Sequence, residues 1–371
     1  MSQSISLYFH VPFCRSRCPY CDFYSTTDLS LKEAYRDALI RAVETAPVEA
    51  GTTGGTVYFG GGTPYLLGRG LLSVLEAAGR RFPLAGDCEI TLEANPGDLE
   101  LSTLRELRAG GFNRLSLGLQ AGDAESLARL GRRHTLEESA RGVELARRAG
   151  FENLSVDLML ATPGQDPEKA AALCDYGAGL GPEHISAYLL KIEPGTPFAR
   201  QGMEQQCPDP DQAAELYLTA CHRLAEHGYR HYEISNFARP GYESRHNSAY
   251  WKLEPYLGFG PSAASAFGGY RYLFPRDLNA FLKAEDPWKL LWEEGPAGGA
   301  EEYLILSLRL AEGVELSRLD ALGQDSSLLL RRGKPLERAG YLLFREGKMA
   351  LTEQGWLVSN SIITSLLDSF R

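Results

Sequence analysis

Three cysteines in Cys14-Arg-Ser-Arg-Cys18-Pro-Tyr-Cys21 are the residues of this sequence best suited to inorganic chemistry. Their spacing is C-x3-C-x2-C, and they follow the apolar run Ile5-Ser-Leu-Tyr-Phe9. Thiolates bind soft metals and iron–sulfur clusters. A [4Fe–4S] cluster needs four ligands, so three closely spaced cysteines leave one iron open to something else. A structural zinc site normally supplies all four ligands, often as two C-x2-C pairs. The remaining cysteines, Cys88, Cys174, Cys207 and Cys221, are scattered and offer no second pair. Disulfides are disfavoured in a long chain without a secretory signal.

Such a loop needs a scaffold. Up to about residue 192, apolar strand patterns alternate with amphipathic helical ones. The strands are Ile5–Val11, Thr56–Gly60, Cys88–Glu93, Arg114–Gln120, Leu154–Leu160 and Ile185–Leu190. Between them, Leu31–Glu44, Leu71–Arg81, Ser102–Ala109, Leu136–Ala149 and Glu168–Ala178 read as helices. Alternating β and α with short connections predicts a parallel sheet with outer helices. Six units suggest a partial (β/α) barrel, with an open doubly wound sheet as the alternative.

A barrel gathers polar functional residues at the C-terminal ends of its strands. Here the cysteine loop follows the first strand and Gly60-Gly-Gly-Thr-Pro64 the second. Glu93-Ala-Asn95 closes the third, Gln120 closes the fourth and Asp157 interrupts the fifth. Chance would scatter these features, so one shared site is expected. Gly60, Gly61 and Gly62 read either as a plain turn or as backbone that a ligand approaches closely. Glu93 and Asp157 lie in apolar runs, where an unpaired carboxylate is costly. They are satisfied either by a salt bridge to Arg114 or Arg132 or by the hydroxyls and amine of a ligand.

The cysteine spacing with its flanks, Tyr8-Phe9-His10-Val11-Pro12-Phe13 before it and Pro19-Tyr20-Cys21-Asp22-Phe23 across its end, resembles the radical S-adenosylmethionine (SAM) proteins. With Gly60-Gly-Gly-Thr-Pro64, Glu93, Leu117-Gly-Leu-Gln120, Arg132 and Val156-Asp157-Leu158, residues 5–192 are similar in order to the coproporphyrinogen dehydrogenase-like radical SAM family. The resemblance implies a [4Fe–4S] cluster on Cys14, Cys18 and Cys21, with SAM on the fourth iron. It implies SAM contacts from Tyr8, Gly60, Gly61, Gly62, Thr63, Glu93, Gln120, Arg132 and Asp157. Arg132 is placed by its spacing from Gln120, with Arg129 and Arg133 close by. The implied fold is α/β, a partial (β/α)6 TIM-type radical SAM barrel over residues 1–192.

The chain then changes character. Over 193–300 it holds a turn-rich exit, an amphipathic helix at Asp211–His227 and a strand-like run at Tyr229–Phe237. The aromatic, glycine-rich run Tyr256–Ser265 is expected to pack on the open side of the barrel and line a cavity for a flat ligand. Over 301–371 a helix at Glu302–Leu310, a hairpin turning at Glu346-Gly347 and a final helix opened by Thr352 read as a winged-helix-like α+β domain. It lacks a dense basic run, so a structural or docking role is expected rather than DNA binding.

Within the family, two features steer the assignment. Position 23 is phenylalanine, where the oxygen-independent dehydrogenases carry a fourth cysteine, and the motif starts only fourteen residues into the chain. His246-Asn247-Ser-Ala-Tyr250-Trp251 resembles the H-N-x-x-Y-W motif of the family's haem chaperones. Imidazole is a good haem ligand, and Tyr250 and Trp251 offer rings to stack on a porphyrin. Phe23, His246, Asn247, Tyr250 and Trp251 therefore join the expected cofactor-binding set. The resemblance implies a chaperone that carries the cluster, SAM and haem, and delivers haem to acceptor haemoproteins. It is compatible with a homodimer. The competing expectation is a radical enzyme that cleaves SAM and attacks a porphyrinogen or another substrate through a 5′-deoxyadenosyl radical.

The composition agrees with an ordinary globular chain of 371 residues, and a net charge of −10 argues against a nucleic-acid surface. No apolar run reaches the roughly 18 residues of a membrane span. A cytoplasmic location is expected, with peripheral membrane contact left open.

Overall fold

The computed structural model describes residues 4–370. Six parallel strands begin the chain: β1 (Ser4–Val11), β2 (Thr53–Gly61), β3 (Leu84–Ala94), β4 (Arg114–Gln120), β5 (Asn153–Leu160) and β6 (His184–Leu189). They lie side by side in sequence order. A doubly wound sheet would reverse its strand order at a switch point. No reversal occurs, so these strands form the partial barrel.

Side-chain parity explains the layers. Alternate strand residues face opposite sides. One set, including Leu7, Phe9, Val57, Phe59, Leu92, Leu115, Leu117 and Val156, is fully buried in the main hydrophobic core with the helices. The other set is polar and is cross-linked inside the barrel. Thr56 donates to Ser6 at 2.9 Å, Tyr58 to Glu93 at 2.7 Å and Ser116 to Asp157 at 3.2 Å, while Ser155 meets His184 Nδ1 at 2.8 Å. Helix starts are marked locally. Thr135 and Glu138 form a capping box before Leu136–Arg148, and Asp166 caps Pro167–Gly179.

The sheet does not close. On one side, β6 pairs antiparallel with β8 (Asn236–Ala238), which pairs with β7 (Arg230–Glu233). On the other, β9 (Tyr256–Phe259) lies parallel to β1, followed by β10 (Ala264–Phe267), β11 (Tyr270–Leu273) and β12 (Trp292–Pro296). The run Tyr256–Ser265 therefore extends the sheet itself and flanks the strand that leads into the cysteine loop.

The short helix Arg245–Trp251 lies against the N-terminal part of the barrel. Both carboxylate oxygens of Glu89 accept from its first amides, Arg245 N at 3.0 Å and His246 N at 2.9 Å. An acid at a helix N-terminus is the favourable arrangement.

Residues 300–366 carry a second core, with Leu304, Leu308, Val314, Leu342, Met349 and Leu366. Here β13 (Val314–Glu315), β14 (Leu342–Arg345) and β15 (Lys348–Leu351) form a three-stranded sheet between helices. The hairpin turns at Glu346 and Gly347, both at positive φ (50° and 75°), as a two-residue type I′ turn requires. Among the described residues, no helix is long and apolar enough to cross a membrane.

Candidate metal and cofactor centre

The loop after β1 carries the cysteines to the C-terminal end of the barrel. Its position is set by backbone bonds to the glycine run: Gly62 N donates to Val11 O at 2.9 Å and Thr63 N to Phe13 O at 2.7 Å. The glycines are explained mainly by this packing. A Cβ on Gly61 would lie 2.7 Å from the His10 ring, and one on Gly62 would lie 2.7 Å from Phe13 O. Gly61 also has φ +109°, a region that disfavours other residues. Gly60 leaves room for Tyr58, Tyr8 and Glu93, whose atoms would lie 2.9–3.2 Å from a Cβ there. Replacing Gly62 with alanine forces the loop off this seat. Cluster reconstitution, read as absorbance per chain, should fall by at least about half, with a stability loss of about 1–3 kcal/mol. Wild-type occupancy and melting temperature would show that the loop is held by other contacts.

Cys14, Cys18 and Cys21 are all half-buried and unpaired. They line one cavity of about 260 Å³ with Phe23, Gly61, Gly62, Thr63, Glu93, Gln120, Arg132 and Asp157. Among the described residues these three sulfurs do not form a donor set drawn within 4.8 Å of one another, as ligands of a single ion would be. Burial pushes the Cys14 and Cys21 thiols up. Thr63 Oγ1 and Arg132 Nη1 point at the sulfurs of Cys14 (3.9 Å) and Cys18 (3.6 Å).

The rest of the cavity is charged and unevenly satisfied. Burial pushes the Glu93 carboxyl up to about 7 and raises Asp157 as well. Glu93 accepts from Tyr58, and Asp157 accepts from Ser116. Among the described residues neither makes a salt bridge. Arg114, itself buried, acts on both only through its field, and Arg132 is occupied elsewhere. Its Nη2 donates to Asn95 Oδ1 at 2.6 Å and to Gly118 O at 2.8 Å. Of its neighbours, Arg129 pairs with Glu125 at 2.6 Å, and Arg133 lines an adjoining cavity that shares Cys18, Asn95 and Arg132 with this one. Gln120 sits at φ 71° and accepts from the Tyr188 hydroxyl at 2.7 Å. A non-glycine residue held there costs on the order of 1–3 kcal/mol, a strain found where a side chain is aimed at a site.

This donor set fits a [4Fe–4S] cluster with SAM. Three thiols face a cavity from one side, and two buried carboxylates without a basic partner suit an amine and a sulfonium. Bound there, the cluster supplies one-electron chemistry and an iron open to SAM. The chain would supply the three thiolates, acceptors from Glu93 and Asp157, and a guanidinium from Arg132. Asn95, Ser116 and Tyr188 also line the cavity; Asn95 was named only as part of the run closing the third strand, and Ser116 and Tyr188 were not singled out from the sequence. Strand parity was the available signal, since Asn95 lies two residues beyond Glu93 and Ser116 two before Gly118.

Two expected groups sit elsewhere. Tyr8 faces inward one layer down. Its ring lies 6.1 Å from that of Tyr58, and its hydroxyl is 3.3 Å from His10 Nδ1. His246 is fully buried, with Nδ1 at 2.7 Å from Thr56 Oγ1 and Nε2 at 2.7 Å from the Tyr250 hydroxyl. It stacks on Tyr58 at 5.0 Å, and burial pulls its pKa down to about 3. As placed, neither ring nitrogen is free to reach a haem iron. Asn247 lends only its backbone amide, to Ser244 Oγ. Tyr250 and Trp251 line a different cavity, of about 300 Å³, with Tyr256, Phe267 and Arg271.

Known proteins resemble this chain in sequence and fold. Residues 8–177 match the Radical SAM superfamily, and residues 299–358 match the HemN C-terminal domain. The chain is 36% identical to the "Heme chaperone HemW" of Lactococcus lactis, covering 98% of this chain and 97% of that one. It is 33% identical to the protein of the same name from Bacillus subtilis, covering 98% and 99%. The structure of coproporphyrinogen III oxidase (HemN) from Escherichia coli, a radical SAM enzyme, superposes with a TM-score of 0.83 over 98% of this chain and 90% of that one, at 25% identity. The chain therefore belongs to the radical SAM superfamily and, within it, to the family of the heme chaperone HemW.

Proposed function

We propose that this protein is a haem chaperone. It holds a [4Fe–4S] cluster on Cys14, Cys18 and Cys21 and SAM against Glu93, Gln120, Arg132 and Asp157, and it passes haem to acceptor haemoproteins in the cytoplasm. The carrying observation is full-length similarity to HemW proteins, C-terminal domain included. Phe23 supports the same choice. It stands 66% exposed on the cavity lip, where a fourth cysteine would suit a dehydrogenase. A homodimer is compatible with this role.

Haem is expected at the cavity formed by Tyr250, Trp251, Tyr256 and Phe267. Rings there suit a porphyrin face, and Arg271, held in an ion pair with Glu302 at the same cavity, would have to exchange that partner for a propionate. His246 then acts by holding the Tyr250 hydroxyl from behind. An anaerobic haem titration of cluster-reconstituted protein tests this. Wild type should show saturable, near-stoichiometric binding, weakened several-fold in Trp251→Ala. His246→Ala should lower the melting temperature and weaken haem binding less than Trp251→Ala does. Saturable binding indifferent to Trp251 would move the haem away from this cavity. Absence of specific binding would overturn the chaperone reading and favour a radical enzyme, detected by release of deoxyadenosine.

A further inference from the structure

Away from the barrel mouth, three metal-ligating side chains converge where the C-terminal region meets the rest of the chain. Cys221 belongs to the helix Pro210–Glu226, His231 to β7, and Glu353 opens the helix Glu353–Leu357. Their ligand atoms all lie within 4.8 Å of one another. Cys221 Sγ is 3.7 Å from His231 Nδ1, and His231 Nδ1 is 3.5 Å from Glu353 Oε1.

We propose that Cys221, His231 and Glu353 form a zinc site that clasps the C-terminal winged-helix-like region to the barrel-flanking helix and hairpin. The two spacings that His231 makes match edges of a zinc tetrahedron, and the third lies within 4.8 Å. Zn–S of about 2.3 Å and Zn–N or Zn–O of about 2.0–2.1 Å place sulfur and nitrogen about 3.6 Å apart, and nitrogen and oxygen about 3.4 Å apart. A charge-assisted hydrogen bond would be shorter, about 2.7–2.9 Å. One thiolate, one imidazole and one carboxylate make a set that zinc accepts.

The imidazole is already oriented for this role. Tyr217 donates its hydroxyl proton to Ile234 O at 2.7 Å, so towards His231 Nε2, at 3.5 Å, its oxygen is left as an acceptor. Nε2 therefore keeps the proton, and the Nδ1 lone pair faces Cys221 and Glu353. A partner fixing the outer ring nitrogen is the usual support of a ligating histidine. The ring is also clamped, stacked on Phe237 at 4.0 Å and edge-on to Trp356 at 4.5 Å. Cys221 is buried, and its thiol proton leaves to solvent as the metal binds. Glu353 is partly exposed, which gives the ion an entrance and leaves its fourth position to water, so the site departs from the four-protein-ligand pattern of most structural zinc.

The test uses the full-length, cluster-reconstituted chain dialysed against zinc. Elemental analysis should find one zinc per chain beyond the cluster. Glu353→Gln alters a half-exposed side chain and should keep the fold, yet weaken zinc by at least about tenfold. Zinc should raise the melting temperature of wild type and not that of Glu353→Gln. In cobalt-loaded protein the near-ultraviolet thiolate charge-transfer band should vanish in Cys221→Ser. Cys18→Ala should retain the zinc. Absence of zinc in wild type, or zinc that is lost with Cys18→Ala and kept with Glu353→Gln, would overturn the proposal.

Discussion

Replacing Cys18 with alanine should abolish the cluster absorption near about 400 nm while leaving the chain folded. The two outcomes separate because Cys18 sits half-buried in a loop, outside the hydrophobic cores. Its sulfur meets Arg132 Nη1 and lines the cavity. Cys14→Ala and Cys21→Ala should behave alike, since a cluster held by only three protein ligands would have none to spare. Reconstitution followed by iron and sulfide analysis gives the count, and far-ultraviolet circular dichroism gives the fold. A full cluster in any of the three variants would show that the ligands lie elsewhere.

The second large effect concerns SAM. Glu93→Gln and Asp157→Asn each remove a buried carboxylate that lacks a basic partner, and each should weaken SAM binding by at least about tenfold while sparing the cluster. Glu93 adds a pH dependence. Its folded pKa is raised by burial to about 7 from an ordinary 4.5. Between those values the folded, unliganded chain binds more protons than the unfolded one, so its stability falls as pH rises through that window. A cationic ligand has the opposite preference and binds the ionised form. SAM affinity should therefore rise about tenfold between about pH 6 and 8, as Glu93 goes from mostly protonated to mostly ionised, and level off above. Calorimetry across that range should show the rise in wild type and a flat, weaker profile in Glu93→Gln. Unchanged affinity in both variants would remove the carboxylates from the site.

Much of this site was legible in the sequence because its information is local. Each of the first six strands carries its own alternation, and each polar feature sits at a strand end. Reading the ends together brought Cys14, Glu93, Gln120 and Asp157 to one cavity. What was hidden is non-local. Nothing near residue 256 says that Tyr256–Phe259 will lie beside β1. The motif around His246 reads as a haem-ligand motif by resemblance. Only the fold reveals that Glu89, some 157 residues earlier, caps its helix and that Thr56 and Tyr250 occupy its ring. The glycine run invited a ligand in one dimension, and in three dimensions Gly61 and Gly62 line the cavity while His10 and Phe13 take the space where their side chains would be. A pairing of Cys221 and His231 with Glu353 leaves no trace in spacing at all.

The parallel pairing of β9 with β1 also sets an order of events. The first strand acquires one neighbour early, when β2 emerges, and the other only once Phe259 has been made. At about 5–20 residues per second, that second partner arrives on the order of tens of seconds later. Pairing across so long a stretch of chain is slow to form. During that interval the cysteine loop hangs from a strand with one open edge. A nascent chain therefore passes through a stage in which its thiols are present and their seat is half built. Cluster delivery before that point meets a loop that can still move, and delivery after it meets one that is fixed.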